Sequence, residues 1–96
     1  VRTQRNVQES DGTVIITLGR ELTGGSRETA NYAKEEGRKE IHLSSVHRFD
    51  VAAALRAFVR LNGIQVLNVA GSRESEEPGI YEFTKTVLIR AFPQDE

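Results

Sequence analysis

Two glycine-bearing loops hold the residue types best suited to chemistry. The first is Leu22-Thr23-Gly24-Gly25-Ser26-Arg27-Glu28-Thr29. It follows a β-branched apolar run and opens a segment of helical pattern. Glycines in such a place let a ligand come close to the backbone, and a helix amino terminus offers unpaired N–H groups and partial positive charge to an anion. Ser26 and Thr29 add hydroxyls, and Arg27 adds a cation. The pattern suits a phosphate. It equally suits a tight turn with Ser26 as a plain N-cap.

The second loop is Val69-Ala70-Gly71-Ser72-Arg73-Glu74-Ser75-Glu76-Glu77-Pro78-Gly79. It also runs from a strand pattern to a helix pattern. Arg73 has the fork geometry to clamp a phosphate or carboxylate. Glu74 is able to hydrogen-bond a ribose or a heterocycle edge, but as a general base it lacks an identifiable partner. Glu76 and Glu77 read as acids complementing the dipole of the helix that follows. They would also repel an anion there, so this tip is the poorer phosphate cradle. His42 and His47 stand five apart with no third ligand marked nearby, which is not a metal-ligand spacing; they read as satisfied or solvated. Lys34 to Glu40 is a charge run, read as a solvated face.

The elements that must position these loops follow from periodicity. Thr13 to Leu18 is β-branched and nearly continuously apolar, the mark of a parallel strand covered on both faces. Ser26 to about Glu36 is compatible with helix, with Gly37 as its stop. Glu40 to Leu43 is a short strand. Asp50 is a fitting N-cap for a helix whose Val51, Leu55, Phe58 and Val59 form one apolar stripe, ended by Asn62-Gly63. Ile64 to Ala70 alternates as a third strand. Pro78 suits the first turn of a last helix with Ile80, Phe83, Val87, Leu88 and Ala91 on one face. Residues 1–10 form a short helix or an ordered arm before the Asp11-Gly12 turn. This order predicts a single α/β domain over 1–96, layered, with a small parallel sheet and right-handed crossovers, and it reads like half of a doubly wound domain. Both loops then face the carboxyl edge of the sheet, where open α/β folds bind ligands.

Composition narrows the function classes. The 13 Lys+Arg and 14 Asp+Glu leave a formal charge of −1, which speaks against a strongly basic nucleic-acid module. Basic residues are not interleaved with aromatics, so a single-strand stacking platform has no support. With no cysteine, thiolate zinc sites, disulfides and cysteine catalysis are excluded, and cytoplasmic residence is the expectation. No apolar run approaches the roughly 20 residues of a membrane-spanning helix, so neither membrane nor nucleic acid is an expected partner. The lack of any Met reads as a trimmed initiator or as a piece of a longer chain.

Asn6-Val7, Ser10-Asp11-Gly12-Thr13, Leu22-Thr23-Gly24-Gly25-Ser26 with Thr29, and Leu67-Asn68-Val69-Ala70-Gly71 with Arg73-Glu74-Ser75 and Pro78-Gly79-Ile80 resemble the putative molybdenum carrier family. That family belongs to a Rossmann-like superfamily with molybdenum cofactor carriers and lysine-decarboxylase-like phosphoribohydrolases among its members. The resemblance covers about 6–91 and is most specific from Leu67 to Ile80. Family members begin with a further strand and a Gly-Gly-x-Thr-Gly loop. The resemblance therefore implies the carboxyl-terminal portion of such a domain, without the first strand and glycine loop. The hydrolase motif Gly-Gly-x-Gly-Thr-x-x-Glu is not matched by Gly24 to Thr29, so hydrolase activity is not carried over.

Two readings from different classes result. The first is a non-catalytic binding protein for a phosphorylated, nucleotide-like small molecule, with molybdenum cofactor or a nucleotide as the ligand the resemblance implies. In it Thr23, Gly24, Gly25, Ser26 and Thr29 hold phosphate, while Asn68, Gly71, Arg73 and Glu74 line the rest. The second is a phosphoribohydrolase-like enzyme, for which Glu28 and Glu74 are the available carboxylates. A third possibility is a ligand-free fragment. A strand apolar on both faces and two open sheet edges predict a homo-oligomer or a complementing amino-terminal segment.

Overall fold

The computed structural model describes residues 2–22 and 24–93, with side chains from Arg5 onward. Among these, the order is α1 (Arg2–Gln8), β1 (Gly12–Thr17), α2 (Gly24–Glu35), β2 (Lys39–Ser44), α3 (Val51–Leu61), β3 (Leu67–Gly71) and α4 (Ile80–Ala91). The strands form one sheet in the order β2-β1-β3, and both pairings are parallel. Ile15 lies opposite His42 on one side and Ala70 on the other. The chain leaves β1 through α2 to reach β2, then crosses through α3 to β3 on the far side of β1. Right-handed crossovers place α2 and α3 on opposite faces. In agreement, α1 packs on α2 and α3 packs on α4. The result is the three-layer α/β fold that the alternation of patterns predicts.

β1 is the centre, and every one of its residues is buried. Successive side chains point to opposite faces. Val14 and Ile16 join Leu43, Ala52, Leu55, Ile80, Val87 and Ala91 in one core cluster. Thr13, Ile15 and Thr17 turn to the other layer, where Val7, Ala30 and Ala33 are buried. The α3 stripe behaves as its spacing requires: Leu55 is fully buried, and Val51, Phe58 and Val59 pack against the cluster. Asp50 caps α3 by accepting from the Ala53 N–H at 3.1 Å. α2 stops at Gly37, whose φ of 69° admits the paired bonds Gly37 N to Lys34 O and Arg38 N to Ala33 O. No helix among the described residues is long and apolar enough to cross a membrane.

Several boundaries differ from the sequence pattern. α2 begins at Gly24 rather than Ser26, so both glycines of the pair lie inside its first turn. β3 begins at Leu67 rather than Ile64. The Asp11 carboxylate accepts from the N–H groups of Gln65 and Val66, both at 2.8 Å, and the Asp11 N–H donates to Val66 O at 2.8 Å. Those amides are therefore taken before a ladder can form, and they hold the Asp11 carboxyl below the usual carboxylate range. α4 begins at Ile80, after Pro78, with Gly79 as a left-handed N-cap at φ 99°. Leu18, too, lies past the end of β1 and starts the turn.

β3 approaches β1 so closely at its end that a Cβ on Gly71 would collide with the Ile16 carbonyl oxygen. Gly71→Ala should thus lower stability by about 1–3 kcal/mol through forced separation of the two strands. Chemical denaturation measures it; an unchanged midpoint would show that the strands part freely.

Candidate functional site

Because all three strands are parallel, the loops after Thr17, Ser44 and Gly71 meet at one edge of the sheet. The turn after β1 is held on both its donors and its acceptors. Thr17 Oγ1 donates to Gly19 O at 2.7 Å. The Ser44 hydroxyl lies 3.0 Å from Leu18 O and 2.7 Å from Gly19 O, and Ser45 Oγ donates to Leu18 O at 2.8 Å. The two amides of the turn go to a carboxylate from far along the chain. Glu77 accepts from Leu18 N at 3.0 Å and Gly19 N at 2.9 Å. These bonds, the Leu18 one foremost, together with the Ser72 hydroxyl and the nearby His42, depress the Glu77 carboxyl against the upward push of burial.

Glu77 is the residue the sequence pattern misassigns. Its place before a helix suggests a dipole partner for α4, but that role falls to Glu74. Glu74 accepts from Gly79 N at 2.7 Å and Tyr81 N at 3.0 Å, and these bonds lower its carboxyl. Glu76 accepts from Arg73 N at 3.3 Å and its other oxygen lies 3.7 Å from where a Cβ on Gly24 would sit. The glutamates of this loop thus act on backbone amides of the loop itself and of β1's turn.

The two histidines also come together. His42 Nε2 lies 2.7 Å from Thr17 Oγ1. Since the threonine proton goes to Gly19 O, Nε2 is the donor in that contact. Burial, then His47, lowers the His42 pKa, while Glu77 raises it in part. His47 Nδ1 accepts from Ser44 N at 3.1 Å, and its ring stacks on Phe49 at 4.7 Å. The two imidazole centroids are 6.1 Å apart. No group of three His, Cys, Asp or Glu among the described residues is arranged to hold a metal ion.

The sequence-selected residues divide. Thr23 lies outside the described residues. Gly24 and Gly25 are exposed at the amino end of α2, Gly24 with φ 52° and Gly25 with nothing within 4 Å of a Cβ built on it. Ser26 and Thr29 are 2% and 5% exposed. The Thr29 hydroxyl donates back to Gly25 O at 2.9 Å, a use internal to the helix. The Arg27 guanidinium donates to Leu22 O at 3.2 and 2.9 Å and so braces the loop ahead of α2. Gly71 and Arg73 stand at the same edge as the α2 terminus. Asn68 does not. It pairs with Thr13, and its amide donates to the Thr13 hydroxyl at 3.3 Å. Three residues of strand, about 10 Å, separate it from Gly71. Glu74 is at the edge, but both its oxygens are engaged by amides.

The profile of the family described as "Circularly permutated YpsA SLOG family" matches residues 1–92. Among solved structures, the protein named "Putative molybdenum carrier protein" from Syntrophus aciditrophicus is similar, at 36% sequence identity and a TM-score of 0.87. The match covers 95% of this chain and 58% of that one, so this chain spans somewhat over half the length of that relative. No match was found among curated proteins.

Glu77 links the β3–α4 loop to the turn after β1 through charge-assisted bonds to the folded state only. A carboxyl depressed on folding adds stability above its unfolded pKa, near the ordinary glutamate value of 4.5, and that stability disappears as pH falls through the lower folded value. Glu77→Gln should accordingly melt lower than the parent at pH 7, and the gap should narrow below about pH 4. Thermal melts across pH read this directly; a gap constant with pH would mean that the charge of Glu77 contributes nothing.

Proposed function

The chain belongs to the circularly permutated YpsA SLOG family, and from that membership we propose that it binds, without turnover, a phosphorylated nucleotide-like small molecule at the carboxyl edge of its sheet. Molybdenum cofactor is the candidate cargo, because the similar protein from Syntrophus aciditrophicus is named a carrier of molybdenum. The observation that carries the reading is the amino end of α2. Gly24 and Gly25 are exposed there, the space above Gly25 is open, and the first-turn amides of a helix favour an anion. Gly71 and the exposed Arg73 lie at the same edge, in position to reach the remainder of a ligand.

The residues at the edge favour holding over catalysis. Of the two carboxylates open to a hydrolytic role, Glu74 spends both oxygens on amides, and Glu28 is exposed on α2. The amide bonds depress the Glu74 carboxyl and keep it ionised, which suits a structural acceptor better than a general acid. The absence of cysteine accords with a reducing compartment such as the cytoplasm.

Adenosine monophosphate and isolated molybdenum cofactor are the probes, and titration calorimetry is the measurement. Gly25→Phe should fold as the parent does, because the position is exposed and a Cβ built there meets nothing within 4 Å. It should weaken binding of the phosphorylated probe by at least about tenfold, or ~1.4 kcal/mol. Unchanged affinity in that variant would remove the α2 terminus from the site. Release of free base from the monophosphate would establish the hydrolase reading instead.

A further inference from the structure

We propose that the recess between the β2–α3 loop and α4 is a binding site for a small aromatic carboxylate. The loop lines it with His47, Arg48, Phe49 and Asp50, and α4 with Phe83 and Arg90. These elements lie on the α3 and α4 side of the sheet, so the recess stands apart from the amino end of α2. Its volume is about 360 Å³. A cavity of about 150 Å³ holds one benzene ring, so a ligand of one or two fused rings fits.

The charged groups select an anion of single charge. Among the described residues, the side chains of Arg48 and Arg90 have neither a hydrogen-bond nor an ion-pair partner. Arg90 stands in the last turn of α4 and complements that helix's dipole; Arg48, in the loop, has no such role. A third arginine is near, since Arg56 donates to the Arg90 carbonyl at 3.4 Å. One carboxylate lines the recess with them. It is Asp50, whose Oδ1 is bonded to Ala53 N as the α3 cap. Arg48 and Arg90 against Asp50 leave the lining with a single positive charge. A carboxylate neutralises that charge, whereas a phosphate dianion would overshoot it beside Asp50. A guanidinium fork also matches the two oxygens of a carboxylate with parallel N–H donors.

His47 and Phe49 select the aromatic part. His47 Nδ1 accepts from Ser44 N at 3.1 Å, so the ring proton sits on Nε2, which makes this imidazole a donor and not a nucleophile. Its ring stacks on Phe49 with centroids 4.7 Å apart and planes 20° apart. The stack braces Phe49, yet Phe49 is 53% exposed beside the two cations. Phe83 adds a second ring to the wall, seven residues before Arg90 and so about 10 Å along α4. An aliphatic acid would answer the charge and leave the rings unused; a neutral arene would do the reverse. A flat acid with an apolar body uses both.

Amide NMR titration of the chain with naphthoate tests this. Naphthoate should saturably shift the amides of Ser45 to Val51 and of the α4 turns that hold Phe83 and Arg90. Acetate and naphthol, each offering half of the ligand, should bind at least about tenfold more weakly. Arg48→Gln and Arg90→Gln, both at exposed positions, should each weaken naphthoate by a similar factor. Phe49→Ala should bring naphthoate down towards the affinity of acetate, and far-UV dichroism should stay that of the parent in all three. Gly25→Phe should leave naphthoate binding unchanged, which separates this site from the amino end of α2. Absence of any shift in the 45–51 loop at millimolar naphthoate overturns the proposal, as do shifts confined to Gly24 to Thr29 or an affinity that both arginine variants leave intact. Naphthyl phosphate binding more tightly than naphthoate in this recess overturns the choice of a carboxylate.

Discussion

β1 is buried on both faces and bonded on both edges, and that double enclosure governs the rest of the molecule. Six consecutive buried residues need an apolar layer above and another below. Both layers are built by sending one crossover helix to each side. α2 and α3 are those helices, and α1 and α4 widen the layers that they begin. Parallel strands then follow, because each helix returns the chain to the same end of the sheet. The position of every loop at the carboxyl edge is a consequence of how β1 is covered.

The edge itself is organised around backbone groups left over where β1 ends. Its turn presents two carbonyls and two amides in a part-buried place, and unmet groups there are costly. Thr17, Ser44 and Ser45 meet the carbonyls; Glu77 meets the amides. Glu77 comes from the loop after β3, so the same bonds that satisfy the turn also fix that loop over it. The glutamates between Gly71 and α4 are thereby structural acceptors. At the amino end of α2, by contrast, both glycines are exposed and the space above Gly25 is open.

Much of this was legible in the chain. The β-branched run at 13–18, the stripe from Val51 to Val59 and the stripe from Ile80 to Ala91 each carry a period that one secondary structure alone satisfies. Their order then leaves few topologies. Gly37 and Asp50 mark ends correctly because their conformational and capping preferences act within a few residues. What failed did so where a partner distant in sequence competes. Ile64 to Val66 has the alternation of a strand, yet Asp11, more than fifty residues away, takes two of its amides.

The sequence by itself determined the layered α/β class, the parallel sheet and the meeting of two glycine-bearing loops at one edge, since hydrophobic period and helix-stop chemistry are local properties. Only the tertiary structure decided which residues at that edge are occupied. Thr29 turns inward to Gly25, Asn68 lies three residues down the strand, Glu74 closes the start of α4, and Glu77 rather than any loop glycine sits on the amides after β1. A carboxylate's partner is chosen by distance after folding, and residues 59 positions apart leave no spacing for a sequence to show.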